Sequence, residues 1–174
     1  MEGRPAWREP SRWFVDHLLA IGDVHVGLVD AERRQLIESV VIAHEPDCWR
    51  RFLAPHGGTE TLKPDLQVDV VTSADELRWW VEVDRATEAL PTIVRKAQAY
   101  ERYWRSGAEL QHSEIFPKVL WLVPHERRAT AMRKAIAERP DLTKELHLVA
   151  LQHEAIGLLS GHQINNEPEG GETR

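Results

Sequence analysis

Between Lys63 and Asp84 the chain carries two extended segments around one short turn, and this stretch constrains the fold more than any other. In residues 63–72 (KPDLQVDVVT) Leu66, Val68 and Val70 alternate with other residues, the two-residue period of a strand with one buried face. Ser73-Ala74-Asp75-Glu76 reads as a turn, and residues 77–84 (LRWWVEVD) as the returning strand. A connection this short requires antiparallel pairing, because parallel strands need a crossover of a dozen residues or more. Thr87 and Pro91 are helix-start signals. Ile93, Ala97, Tyr100 and Trp104 follow at i, i+4, i+7 and i+11, which predicts an amphipathic helix over 90–106 closed by Ser106-Gly107. Lys118 to Val123 (KVLWLV) is a near-continuous apolar run, the mark of a strand buried on both faces. A hairpin followed by a helical crossover places this strand parallel to a neighbour. The expected fold class is α/β, a mixed central β-sheet flanked by helices.

The remaining elements fit around that unit. Ser11 is a plausible N-cap, and Phe14, Leu18, Ile21 and Leu28 predict a helix over 12–33, with a kink or break expected at Gly22-Asp23. Residues 37–44 read as a strand, Glu45-Pro46-Asp47 as a turn into a short element (CWRRFL), and His56 to Thr59 as a loop. Residues 125–138 predict a helix with Ala129, Met132 and Ile136 inward, and residues 146–151 a last strand. Trp79 and Trp80 place one indole on each sheet face. A length of 174 residues suits one domain. The expected organisation is a flexible lead-in over 1–10, one domain over 11–158 and a flexible tail over 159–174. No apolar run approaches the roughly 20 residues of a membrane helix, the N-terminus lacks a signal-peptide core, and Cys48 is the single cysteine. A cytoplasmic protein without membrane association or disulfides is expected.

The formal net charge of -6 argues against a protein that coats DNA non-specifically. It is compatible with clustered carboxylates that await a divalent ion. Glu82 and Asp84, two residues apart on one strand, point to the same face. Asp65 begins the partner strand, so the hairpin brings all three acids to one sheet end. Oxygen ligands in such a cluster suit Mg²⁺ or Mn²⁺. Lys96, bordering the buried helix stripe, reaches toward the same end, with Tyr100 one turn on. Basic groups containing Arg95, and Arg127 with Arg128, are candidate phosphate contacts, while Arg85 either pairs with Glu88 or binds phosphate.

The segments LKPDLQVDV, WWVEVDRATEALPTIVRKAQAYERYW and FPKVLWLVPHERRA resemble the bacterial replication-relaxation family, from about Trp13 to about Ile136. The most specific pieces are KPD, VEVDRATE, the pair Lys96 and Tyr100, and FPKVLWLVP. The resemblance implies a restriction-endonuclease-like (PD-(D/E)xK) core and a link to plasmid replication or mobilisation, hence to mobile elements. That nuclease pattern has a lysine two residues after the acid at Glu82. Asp84 stands there, and the resemblance implies that Lys96 substitutes from the helix. It also implies a place near the metal for His17, and Glu45 is a separate candidate for a supporting acid. Family members are expected to carry an N-terminal winged helix, whereas only about ten residues precede the first helix here, so a stand-alone core is expected.

Three functions follow as expectations. The first is a DNA-processing nuclease in which Asp65, Glu82, Asp84 and Lys96 are catalytic, the three acids hold Mg or Mn, and Arg85, Arg95, Tyr100, Arg127 and Arg128 contact nucleic acid. The second is an inactive nuclease-fold adaptor that binds DNA or a replication or mobilisation protein. The third is an interaction module that forms a homodimer through the tryptophan-rich strand or the helices.

Overall fold

The computed structural model of the chain describes residues 11–55, 57–111 and 113–161. The expected lead-in (1–10), His56 in the predicted loop and most of the expected tail (162–174) lie outside the described residues.

The hairpin forms as the alternation requires. Strand β4 (Leu66–Val71) pairs antiparallel with β5 (Glu76–Val83), with Leu66 opposite Val81. Strand β1 (Ser39–His44) adds antiparallel to the free edge of β4. On the other side β5 pairs parallel with β6 (Lys118–Val123), and β6 with β7 (His147–Leu151). The mixed five-stranded sheet therefore runs β1-β4-β5-β6-β7.

Helices cover both faces, so β5 and β6 are buried on both sides. Helix α1 (Arg12–Arg33) and the short α4 (Ala155–Leu159) pack on one face, in a core with Leu66, Val68, Trp79, Val81, Val83, Leu120 and Leu122. Helices α2 (Leu90–Ser106) and α3 (Glu126–Ala137) cover the other face, with Trp80, Val119, Trp121 and Val123. Trp79 and Trp80 thus take opposite faces, and both are buried, so neither is left for an interface.

Several expectations need correction. Gly22-Asp23 does not interrupt α1. A mid-helix glycine costs about 1 kcal/mol, and the apolar face that continues from Ala20 and Ile21 to Val24 and Leu28 offsets it. The stripe on α2 runs Ile93, Ala97, Tyr100 and then Tyr103, whereas Trp104 is exposed. Gly107 ends that helix in the left-handed region at φ 67°, where a glycine has no Cβ penalty. The short element after Pro46 is a strand, β2 (Arg50–Leu53), and it pairs with β3 (Thr59–Leu62) in a separate hairpin. That hairpin was missed because its sequence, RRFL and TETL, has little apolar content. It is fixed by Phe52 and Leu62 joining the core beneath α2, and by Arg102 donating to Glu60 at 2.8 Å. Leu159 and Ser160, assigned to the tail, are buried. No helix among the described residues is long and apolar enough to cross a membrane.

Leu122 is fully buried on a central strand. Leu122→Ala is expected to lower stability by about 2–5 kcal/mol, read as a reduced urea midpoint with little change in slope.

Candidate functional site

The hairpin register puts Asp65 beside Glu82. Asp65 precedes β4, and its backbone N–H donates to the carbonyl of Val81 at 3.1 Å. Its carboxylate Oδ2 accepts the Val83 N–H at 2.7 Å, so the side chain extends the ladder where the strand begins. The other oxygen, Oδ1, lies 3.3 Å from Nε2 of His17 on α1. That hydrogen bond holds the imidazole above its ordinary value, against the opposing effect of burial.

Glu82 sits on the α2 face of β5 and is 4% exposed. Tyr100 donates its hydroxyl to Oε1 at 2.6 Å, and Lys96 Nζ lies 3.4 Å from Oε2. Lys96 also bridges to Glu88 at 3.2 Å. Burial, and then the charge of Asp65, push the Glu82 carboxyl up to about 7, against the opposing pull of Lys96 and Tyr100. Burial disfavours the Lys96 ammonium, but Glu82 and Glu88 together outweigh it and the lysine is raised. Tyr100 is raised well above its ordinary value by burial and then by the Glu82 charge, so it stays a donor. Two nearby buried carboxylates, with one ammonium between the acidic groups, form an electrostatically charged cluster whose protonation is easily moved.

Asp84 behaves differently. Its N–H donates to the Leu122 carbonyl at 2.8 Å, and both its carboxylate oxygens accept from Arg128 on α3, at 2.5 and 3.2 Å. Arg128 also donates to the Glu88 carbonyl at 2.7 Å. This two-pronged pair ties the end of β5 to α3. It occupies Asp84, and it removes Arg128 from the candidate phosphate contacts.

The other expected contacts separate. Arg85 lines the same cavity as the acids and donates to Gln152 at 2.9 Å, not to Glu88. Tyr100 is 1% exposed, so it braces Glu82 and cannot present a surface to nucleic acid. Arg95 faces a second depression, between α2 and α3. Arg127 is exposed near the start of α3, outside the cavity. Glu45 is exposed in the turn after β1 and does not line the cavity.

A solvent-open cavity of about 250 Å³ joins these groups; besides the acids, Lys96 and Arg85 it is lined by Trp13, Phe14 and His17 of α1 and by Trp121 at the sheet end. Sequence reasoning missed Trp13 and Phe14, although their place at the start of the helix carrying His17 was a usable signal. It also missed the Arg128 clamp, whose partners are 44 residues apart. Among the described residues, no group of three or more His, Cys, Asp or Glu side chains forms a cluster that could hold a metal ion.

The family model described as replication-relaxation matches residues 2–119. The chain belongs to the replication-relaxation family. The match spans the first helix, the antiparallel part of the sheet and α2, and therefore includes Asp65, Glu82, Asp84 and Lys96. Family membership points to a replication-related role in DNA processing. No curated protein and no solved structure matches the chain.

Two predictions follow from these environments. Arg128→Met leaves Asp84 buried without a partner and is expected to cost about 3–5 kcal/mol; adding Asp84→Asn should recover part of that loss in urea unfolding. Glu82 has a folded pKa of about 7, above its ordinary 4.5, so the folded state holds a proton that the unfolded state has released. In metal-free protein the stability is therefore fully present below pH 4.5 and is lost as pH rises toward about 7. Glu82→Gln should flatten that part of the stability–pH curve.

Proposed function

We propose that the chain is a divalent-metal-dependent nuclease of the PD-(D/E)xK, restriction-endonuclease-like type, hydrolysing DNA phosphodiesters in plasmid replication or mobilisation. The observation that carries the reading is the placement of Asp65 and Glu82 side by side, with Lys96 3.4 Å from Glu82, in one open cavity. The strand order and directions support the architecture, since an antiparallel hairpin bearing the acids is followed by a helix and a parallel strand.

The donor set fits Mg²⁺ or Mn²⁺ as a two-carboxylate site. Magnesium commonly takes one or two carboxylates and completes its shell with waters and substrate phosphates. Asp65 and Glu82 would be those ligands. Their mutual repulsion, which helps to raise Glu82, is the imbalance that a cation corrects. The proposed ligand set leaves out Asp84, because both of its oxygens accept from Arg128. A bound ion supplies Lewis acidity at a phosphoryl oxygen. The chain's own residues do the rest. Tyr100 holds Oε1 of Glu82 in place, the Val83 N–H holds Oδ2 of Asp65, and Lys96 presents positive charge where negative charge builds on the phosphate. His17 orients Asp65 from the α1 side.

The Asp84–Arg128 pair favours a second reading, the inactive adaptor that binds DNA or a replication or mobilisation protein, because an acid on the nuclease strand serves structure here. Calorimetric titration of Mn²⁺ and Mg²⁺ with plasmid cleavage on the same samples separates the two. The nuclease reading expects metal binding that disappears in Asp65→Asn/Glu82→Gln, and cleavage that falls about a hundredfold or more in Lys96→Gln. Wild-type protein that neither binds metal nor cuts overturns it in favour of the adaptor.

A further inference from the structure

Helix α1 turns a set of residues toward the sheet: Ala20, Val24, Leu28 and Ala31 are buried there. Trp13 lies seven residues before Ala20, two helical turns along that same face. It nevertheless remains 67% exposed, and its neighbour Phe14 is 52% exposed. The reason is geometric. The first turn of α1, begun at the Ser11 cap, overhangs the end of the sheet, where the wall opposite is the carboxylate cavity and not apolar core. Both aromatic rings line that cavity together with Asp65, Glu82, Arg85 and Lys96. His17, one turn after Trp13, joins the overhang to Asp65.

An exposed aromatic pair over a pocket that also holds two cationic side chains has the composition of a single-strand platform, in which rings stack on bases and cations meet the backbone. In a duplex the base faces are covered by their neighbours and cannot stack on protein rings. Resting on the nuclease reading above, we propose that Trp13 and Phe14 stack unpaired nucleobases, and that the preferred substrate is single-stranded or locally melted DNA. Lys96 and Arg85 then contact the adjoining phosphates, and the strand is led across Asp65 and Glu82. Tryptophan and phenylalanine do this without reading sequence, since every base has a π face.

The test is fluorescence anisotropy of a labelled oligothymidylate of about 15 nucleotides, and of a blunt duplex, with the full chain in chelator. Omitting metal keeps binding separate from cleavage. Single-strand binding is expected to be tighter than duplex binding. Trp13→Ala and Phe14→Ala should each weaken it about five- to hundredfold, Trp13→Tyr should largely restore it, and Trp13→Leu, apolar but without a π face, should not. Because both rings are exposed, unchanged urea midpoints are expected. Equal affinity for both DNAs, or Ala variants that bind as wild type does, overturns the proposal even if the protein cuts. Aromatic-dependent single-strand binding without cleavage upholds the platform while the nuclease reading falls. A wild-type dimer in sedimentation that Trp13→Ala dissociates, with oligothymidylate binding unchanged, assigns the rings to a second copy of the chain and also overturns it.

Discussion

The hydrogen bond from the Val83 N–H to the Asp65 carboxylate is the constraint on which the site depends. Asp65 stands just outside the β4 ladder, where a backbone carbonyl would be the usual acceptor for the returning strand. Its side chain takes that place, so its position is set by the sheet register and not by a free rotamer. A one-residue slip of the hairpin would turn Glu82 to the α1 face and the valines to the other. The valines at 81 and 83, packed with Leu120 and Leu122, oppose that slip. The core thereby fixes the separation of two acids that would otherwise move apart.

Each of the three acids at this sheet end is satisfied in a different way. Asp65 is held by backbone and imidazole, Glu82 by a phenol and an ammonium, and Asp84 by a guanidinium fork. These partners are unequal in consequence. The Arg128 fork neutralises Asp84 and joins the end of β5 to α3, a structural role. Glu82 keeps an excess of burial and repulsion over its stabilising contacts, and its raised pKa reports this. The strained electrostatics are thus confined to the pair that faces the open cavity, and they are supported by a sheet buried on both faces. This is the usual distribution when a chain keeps an unfavourable site on a stable scaffold.

Much of this was legible in the amino-acid order. The two-residue alternation before the short turn at Ser73–Glu76 gave the hairpin, the stripe Ile93-Ala97-Tyr100 gave α2, and KVLWLV gave the doubly covered strand. The neighbourhood of Asp65 and Glu82 followed from strand period and turn length, and that of Lys96 from its place beside the α2 stripe. Less was legible where local signals were weak or contacts long. β2 and β3 lack an alternating apolar pattern and are held by α2, far along the chain. The choice of Tyr103 over Trp104 as the inward ring depends on how Phe52 and Phe116 pack around it.

The sequence by itself determined the main helices, the strands of the central sheet, the pairing of the hairpin and the family, because these rest on periodicities and short connections within single segments. The tertiary structure decided which acids remain available. Asp84 has the same strand face and charge as Glu82 in sequence, yet only the packing of α3 brings Arg128 onto it. Likewise Trp13 and Phe14 read as ordinary helix residues until α1 is laid across the sheet and its first turn extends over the cavity. Pairings over 44 residues and the overhang of a helix end depend on how finished elements stack, which no local pattern encodes.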